Sequence, residues 1–246
     1  IISVGTGQVL TVQTQNPNGN ADENPTNDQK QVSLVLQVTA ASLPFVEDFE
    51  NSAVGWMVSN PDGATTWTLA TVGGTTPGST AAKMNFFGYQ NGGGQRDRLI
   101  SPKISLNGYS SAEMYFEHAF RRYNQTSSDS LIIYVSANCG ASWTRVFQAT
   151  ENGSGTFATQ TTSTAEFTPS TNTDWCIAPI NQQTSGASCF TINLDAFVGN
   201  EIMVMFEAYK GGSRGNNLYI DNINITGVAA GNTPEPNFTT DVNQIC

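Results

Sequence analysis

The stretch SLPFVEDFE, residues 42–50, places three carboxylates, Glu47, Asp48 and Glu50, among apolar residues in a strand-like pattern. Side chains alternate between the two faces of a strand, so Asp48 and Glu50 are expected to share one face. Two carboxylates at this spacing can bind the same cation, and Ca²⁺ takes about six to eight oxygen ligands. The stretch therefore predicts two ligands of a calcium ion.

A further carboxylate, Asp221, interrupts the apolar pattern of NNLYIDNINITG between Ile220 and Ile223. A buried carboxylate is costly unless it is paired or bound to a metal. This position suggests Asp221 as a third calcium ligand. The alternative is that Asp221 caps backbone N–H groups at a bulge, while Asp48 and Glu50 are solvated.

The sequence offers little for catalysis. The single histidine, His118, cannot supply the histidine pair of a zinc protease and is expected on a sheet strand. Glu113, Glu117 and Glu207 fall at alternating positions of predicted strands, which leaves open a glycosidase-type carboxylate pair on a concave face. We therefore expect the chain to be non-catalytic.

Composition narrows the expected partners. The 246 residues include 20 acidic and 10 basic residues, for a net charge of −10. A nucleic-acid-binding protein is expected to carry a basic patch, so nucleic acid is not an expected partner. An acidic chain suits divalent cations. No apolar run approaches the roughly 20 residues of a membrane span, so membrane insertion is not expected.

The pattern of short strands and turns predicts an all-β fold. Segments rich in Thr, aromatic and β-branched residues are separated by Gly, Asn and Pro clusters, as in a sandwich or barrel. Residues 1–41 are expected to end one β-module, residues 42–228 to form the main domain, and residues 229–246 to begin another module after a linker. The predicted strands of the main domain are 44–50, 65–70, 81–87, 97–106, 111–120, 130–137, 143–149, 190–194, 201–209 and 217–226.

Four cysteines are present, and two of them bracket a polar loop. Cys176 and Cys189 enclose IAPINQQTSGAS, which has no strand pattern. We expect a disulfide there and therefore an oxidising compartment. The alternative is two free thiols. Cys139 and Cys246 are not expected to pair with each other.

Six segments occur in the order found in a known family of domains. They are LPFVEDFENSAVGW, NPDGATTW, DRLISPKISLNG, AEMYFEHAF, DSLIIYVSANCGASWTRVF and GNNLYIDNINITG. Over residues 42–228, the chain resembles the cleaved-adhesin (choice-of-anchor J, MAM-like) jelly-roll domains of secreted Bacteroidetes proteins. The flanks resemble the C-terminal part of an Ig-like (CARDB-like) module and the start of a PKD domain. This order is similar to accessory regions of pappalysin-type (M43) metalloproteases and to gingipain-type adhesins, which are usually exported by the type IX system.

The resemblance implies a fold, a metal and a location. It implies a jelly-roll β-sandwich whose first and last strands are neighbours, which would bring Asp48, Glu50 and Asp221 together around a structural calcium. A second family calcium often lies in a loop before a tryptophan, where this chain has only Asn60 and Asp62. Proteins of this kind are secreted or held at the cell surface.

Aromatic residues are the remaining candidates for binding. Trp67, Trp143 and Trp175 lie within or beside strand patterns and are expected in the core. The best polar-aromatic cluster is Arg121, Arg122 and Tyr123, which could bind a glycan or an extracellular protein; the alternative is an ordinary solvated edge.

The expected function is a calcium-stabilised module for adhesion or substrate binding. Two alternatives to this function are open. In the first, the region is an accessory part of a secreted zinc metalloprotease; in the second, it is a structural spacer between surface modules.

Overall fold

The computed structural model describes residues 8–13, 24, 29–34, 39–89, 92–150, 157–176 and 189–231. These residues contain no α-helix, and the short 3₁₀ helices are Asn172–Asp174 and Asp195–Phe197. The strands are β1 (Gln8–Gln13), β2 (Gln29–Leu34), β3 (Phe45–Glu47), β4 (Met57–Ser59), β5 (Trp67–Thr71), β6 (Thr80–Met84), β7 (Arg96–Ile100), β8 (Ile104–Ser105), β9 (Tyr109–Phe120), β10 (Ser130–Ser136), β11 (Thr144–Thr150), β12 (Thr191–Asn193), β13 (Glu201–Tyr209) and β14 (Leu218–Ala229).

Two antiparallel sheets form a β-sandwich, which confirms the predicted all-β fold. Among the described strands, sheet 1 has the order β11-β10-β13-β7-β4, with β8 also paired to β13. Sheet 2 has the order β12-β9-β14-β6-β5, with β3 also paired to β14. The first and last strands of the domain are therefore neighbours: Glu47 lies opposite Ile223, and Phe45 lies opposite Ile225.

The core lies between the two sheets because every second residue of their strands is apolar. In β13 of sheet 1, the inward side chains include Ile202, Val204 and Phe206. In β9 of sheet 2, they include Met114 and Phe116. This alternation leaves one outer face on each sheet.

The outer face of sheet 2 carries a second, smaller core. The chain from Phe157 to Cys176 crosses it, and Phe167 and Trp175 pack there against Ala119 and Tyr219. The Trp175 indole nitrogen donates to the Gly73 carbonyl at 2.8 Å, which joins this covering segment to the β5–β6 loop. One outer face is thus largely closed by the chain itself.

The disulfide prediction is confirmed: Cys176 is bonded to Cys189. Cys176 also pairs with the backbone of His118 on β9, so the covering segment is fixed to sheet 2 where the disulfide begins. Cys139 is a free, exposed cysteine, whereas Cys246 lies outside the described residues. No helix of the described residues is long and apolar enough to cross a membrane.

Some sequence predictions meet a correction. The strand expected over residues 44–50 ends at Glu47, because Phe49 has φ 56° and turns the chain. Trp67 and Trp175 are buried as expected, but Trp143 is only half-buried and lines a surface groove.

The N-terminal strands β1 and β2 form a separate two-stranded antiparallel sheet in which Gln8 lies opposite Leu34. The identity of residues 1–41 as an Ig-like module remains a prediction. The expected PKD-like start falls mostly on residues 232–246, which lie outside the described residues.

Candidate functional site

A pair of buried carboxylates lies on the outer face of sheet 2. Asp221 on β14 is directly opposite Glu117 on β9, and the two residues are 0% and 8% exposed. Thr75 from the β5–β6 loop lies over the pair: its Oγ1 donates to Asp221 Oδ2 at 2.6 Å and is 3.2 Å from Glu117 Oε2. Like charges opposite each other destabilise a sheet, so this pair needs a compensating group.

The local backbone explains how Asp221 reaches this position. The β14–β9 register shifts between Asp221 and Asn224, and Asn222 has φ 47°, which marks a bulge. The Asn222 backbone N–H donates to Asp221 Oδ1 at 2.8 Å. Asp221 therefore accepts a backbone N–H at a bulge, as the alternative interpretation expects. A neutral N–H group does not cancel the negative charge of Asp221 and Glu117.

The electrostatics of the pair agree with this geometry. Burial, together with the charges of Glu117 and Glu50, raises the pKa of Asp221 to about 7, although the hydrogen bonds from Thr75 and the Asn222 N–H oppose this rise. Burial likewise raises the pKa of Glu117. Both carboxyl groups therefore hold a proton more strongly than usual unless a cation compensates them.

Glu50 belongs to this region, whereas Asp48 has a local role. Glu50 Oε1 accepts from the backbone N–H of Ser79 at 2.8 Å and from that of Thr80, which lowers the pKa of Glu50. Asp48 Oδ1 accepts from the Glu50 N–H at 3.2 Å. The third carboxylate of the opening stretch, Glu47, accepts from the Trp56 indole at 2.6 Å and so fixes the turn after β3.

A second oxygen cluster surrounds Asp97, which is 1% exposed on β7. Neither Asp97 carboxylate oxygen has a hydrogen bond of good geometry, although the Thr66 and Tyr89 hydroxyls are close enough to lower its pKa. Burial is the stronger influence and raises that pKa, and the charge of Asp62 raises it too. Asn60 Oδ1 and Thr66 Oγ1 are also buried and lack hydrogen bonds.

The loop residues expected to bind the second calcium lie beside this cluster. Asp62 Oδ2 accepts from the Tyr89 hydroxyl at 2.6 Å, and Asp62 Oδ1 accepts from the Ala64 N–H at 3.0 Å. Asn60 Nδ2 donates to the Ala64 carbonyl at 2.8 Å, which leaves its Oδ1 available. Sequence reasoning named Asp62 and Asn60 as candidate ligands but did not name Asp97 or Thr66, although the charge of Asp97 within the strand RDRLI is a signal.

The clusters around Asp221 and Asp97 contain few acidic groups and obtain part of their oxygen atoms from neutral side chains. Over the described ranges, no group of three or more His, Cys, Asp or Glu side chains is arranged to hold a metal ion. The cluster around Asp221 instead combines two buried carboxylates with a threonine hydroxyl, and the cluster around Asp97 combines this buried carboxylate and the exposed Asp62 with hydroxyl and amide oxygens.

The outer face of sheet 1 is open and forms a groove of about 380 Å³. Arg98 and Glu207 are cross-strand neighbours in its floor, as are Tyr134 and Met205. Trp143 stands beside them on the turn that precedes β11. The lining residues are Ser59, Arg98, Ile100, Tyr134, Trp143, Met205 and Glu207.

The residues that line this groove carry one positive and one negative charge, on Arg98 and Glu207. The Glu207 carboxylate is 3% exposed and accepts from Arg98 Nε at 2.8 Å and from Arg96 Nη1. The Arg96 guanidinium also lies 4.6 Å from the centre of the Tyr209 ring. The groove therefore presents two aromatic side chains beside a fixed arginine–carboxylate pair. Sequence reasoning placed Trp143 in the core and missed this surface.

The predicted cluster of Arg121, Arg122 and Tyr123 is divided by the structure. The Arg122 guanidinium is buried and donates to the carbonyls of Ser127 and Gln125, so its donors hold the turn after β9. The Arg121 guanidinium lies 4.8 Å from the Phe167 ring centre. Tyr123 is half-buried beside Phe87.

The residues considered for catalysis lie apart from one another. Glu207 is on the outer face of sheet 1, whereas Glu117 faces Asp221 on the outer face of sheet 2. Glu113 is also on sheet 2, in a shallow pocket with Thr191. His118 is fully buried and its ring stacks on the Phe157 ring. Its Nε2 donates to the Phe157 carbonyl oxygen at 3.0 Å, and burial lowers the pKa of His118 to about 4.

Comparisons with known proteins give structural likenesses alone. No protein-family model matches the chain, and no curated protein matches it. The K1 cleaved adhesin domain of Lys-gingipain from Porphyromonas gingivalis is similar at a TM-score of 0.47 and 19% identity, over 76% of this chain and 98% of that one. The CBM27-1 module of Caldicellulosiruptor saccharolyticus, solved with mannohexaose, gives 0.44 and 15%, over 76% and 98%. At these scores, the likenesses carry no conclusion about ligand or role.

Proposed function

We propose that residues 42–228 are a non-catalytic binding module of a secreted or cell-surface protein, stabilised by calcium, with its ligand site in the groove of sheet 1. The observation that carries this function is the contrast between the closed outer face of sheet 2 and the open, aromatic groove of sheet 1. The Cys176–Cys189 disulfide supports an extracellular location, because disulfides persist in oxidising compartments.

A glycan is the ligand class that suits the groove best. Small-molecule sites combine apolar and aromatic walls with a few fixed polar groups. Trp143 and Tyr134 offer ring faces for the C–H side of a sugar, while Arg98 and Glu207 offer a donor and an acceptor for hydroxyl groups. Because the charges of Arg98 and Glu207 compensate each other, the groove favours a neutral sugar over an anionic one.

The residues around Asp221 fit a structural calcium ion. Ca²⁺ is a hard cation that takes carboxylate, hydroxyl and carbonyl oxygens. Asp221, Glu117 and Thr75 offer such oxygens, and the charge of Glu50 acts on the same place. A bound cation would offset the repulsion between Glu117 and Asp221 and join β14 to the β5–β6 loop. Asp48 would act indirectly, through its hydrogen bond to the Glu50 backbone.

The cluster around Asp97 fits a second calcium ion. Asp97, Asn60 and Thr66 have buried oxygens without hydrogen bonds of good geometry, and the charge of Asp62 acts on Asp97. Buried polar atoms are normally satisfied, so unsatisfied oxygens from two separate segments favour a bound cation at their centre. This ion would fix the loop before Trp67 to strand β7.

The ligand site can be tested with a panel of neutral and anionic oligosaccharides, followed by calorimetry with any that bind. We expect a neutral oligosaccharide to bind, and Trp143→Ala to weaken its binding roughly tenfold or more, since central aromatic residues dominate binding energy. Leu69→Ala is the matched control, because Leu69 is 41% exposed on the other sheet. Equal binding by Trp143→Ala would place the ligand elsewhere, and a panel with no binder would favour a protein ligand or a spacer.

A further inference from the structure

Lys210 and Asp129 form a buried pair at one end of the β10–β13 pairing in sheet 1. Asp129 directly precedes β10 and Lys210 directly follows β13, and their neighbours Ser130 and Tyr209 lie opposite each other. Both side chains are 0% exposed, with 3.9 Å between Lys210 Nζ and Asp129 Oδ1. Full burial of a lysine is rare and requires an explanation.

The pair is poorly satisfied as a salt bridge. Within the described part of the chain, Lys210 Nζ and Asp129 Oδ2 have no hydrogen-bond partner. The apolar side of the site is the Phe86 ring, whose centre is 5.8 Å from Lys210 Nζ. A buried ion pair is stable only with close geometry and additional hydrogen bonds. Here the charged atoms are 3.9 Å apart, and the additional hydrogen bond is a single one, from the Gly211 N–H to Asp129 Oδ1.

Burial shifts both groups toward their neutral forms. Burial raises the pKa of Asp129 and lowers the pKa of Lys210, while each group's charge partly opposes the shift of the other. A neutral amine is a nucleophile, and a protonated carboxyl group can lose its hydroxyl as water. These are the two reactants of an amide condensation, held side by side in a dry site.

The Asp129 carboxyl group also has a fixed donor at one oxygen only. The Gly211 backbone N–H donates to Asp129 Oδ1 at 3.0 Å, while Oδ2 accepts no hydrogen bond. An N–H at Oδ1 stabilises the negative charge that develops there when a nucleophile adds to the carboxyl carbon. Gly215 packs against Oδ2, where any side chain would collide with the carboxylate and with Phe86.

We propose that Lys210 and Asp129 join in an intramolecular isopeptide bond. The Nζ lone pair attacks Asp129 Cγ to form the C–N bond. The Cγ–Oδ2 bond then breaks, and Oδ2 leaves as water with the carboxyl proton and one amine proton; the second amine hydrogen remains on the amide. No atom changes oxidation state, and no co-reactant is needed. The bond ties β10 to β13 covalently, independently of calcium or of the groove ligand.

The direct test is the intact mass of the full chain, measured denatured and with its disulfide reduced. We expect the mass to be one water below the sum of its residues, and a digest to contain one branched peptide with both Asp129 and Lys210. The full mass, with both residues recovered in separate linear peptides, would overturn the isopeptide bond and leave a plain buried ion pair.

Two variants and one control sharpen the result. Asp129→Asn should lose ammonia instead of water and give a product identical in mass to the cross-linked wild type. Lys210→Arg should keep its full mass. Lys83→Arg changes a lysine that pairs with Glu166 at the surface and should still lose one water. Water loss that persists in Lys210→Arg would overturn the assignment, and the wild-type mass decides the question even if a variant fails to fold.

Discussion

The two outer faces of the sandwich differ in whether basic side chains neutralise their buried carboxylates. On the open face of sheet 1, Glu207 is 3% exposed and is neutralised by Arg96 and Arg98. On the covered face of sheet 2, Asp221 and Glu117 oppose each other with a threonine hydroxyl between them and no basic partner among the described residues.

The difference indicates where the protein needs a partner from solution. On sheet 1, Arg96 and Arg98 compensate the charge of Glu207 and the aromatic surface is free, so the partner that we propose there is the groove ligand. On sheet 2, the covering segment closes the outer face but the negative charge of Asp221 and Glu117 is left uncompensated, so the partner that we propose there is a cation. Substitutions on the covered face of sheet 2 should therefore alter stability, and substitutions in the groove of sheet 1 should alter ligand binding.

The largest expected effect is a difference in the free energy of unfolding between alanine variants of two tryptophans. Trp175→Ala removes a fully buried side chain from the covered face and should lower the free energy of unfolding by about 3–5 kcal/mol. Trp143→Ala on the open face should change it by about 0.5 kcal/mol or less, as is usual for surface positions. Urea denaturation measures both. Equal losses would show that the groove face is part of the core.

Reduction of the disulfide should have the next largest effect. Cys176–Cys189 closes a loop with a sequence separation of 13 at the end of the covering segment. Its loss should lower the free energy of unfolding by roughly 3 kcal/mol in the chain-entropy model. Ligand binding in the groove should stay unchanged, because the disulfide lies on sheet 2. Unfolding compared with and without reductant checks the first point, and calorimetry checks the second.

The smallest effect has an unusual sign. The pKa of Asp221 is raised in the folded state to about 7, so its contribution to stability is fully present below the unfolded pKa of about 4. It is lost as the pH rises through 7. In metal-free protein at pH 8, Asp221→Asn should therefore increase the free energy of unfolding by roughly 1–3 kcal/mol.

The matched substitution of a buried carboxylate on the open face of sheet 1 should have the opposite effect on stability. Glu207→Gln leaves Arg96 and Arg98 without their carboxylate partner, so it should destabilise the protein at pH 8. Chemical denaturation of both variants tests the pair of predictions. Destabilisation by Asp221→Asn in metal-free protein would mean that its hydrogen bonds matter more than its charge.

Sequence patterns were sufficient for the elements that depend on local alternation. The long strands β9 and β14, the burial of Trp175 and the Cys176–Cys189 bond all follow from residue order and spacing. The strand expected at Asp48 and Glu50 was wrong at its end, because the positive φ of Phe49 is set by packing rather than by local sequence.

Contacts between distant segments could not be predicted. Glu117 meets Asp221 only through the β9–β14 register. Asp97 comes close to Asp62 and Thr66 only because β7 pairs with β4 in sheet 1. Lys210 and Asp129 are 81 positions apart in the sequence and meet through strand pairing. Trp143 was assigned to the core because aromatic content alone does not distinguish an inward side chain from one beside a groove.

The central claim is that the acidic clusters of the sandwich bind calcium. The most direct measurement is thermal unfolding of metal-free protein titrated with Ca²⁺ at pH 8 and at pH 5, with the bound metal counted by elemental analysis. We expect calcium to bind and to stabilise the fold at pH 8 by about 3 kcal/mol at a hundred times its dissociation constant. The gain should be smaller at pH 5, where Asp221 keeps its proton, and reduced in Asp221→Asn. A protein that binds no calcium and unfolds at the same temperature with and without the ion would contradict this account.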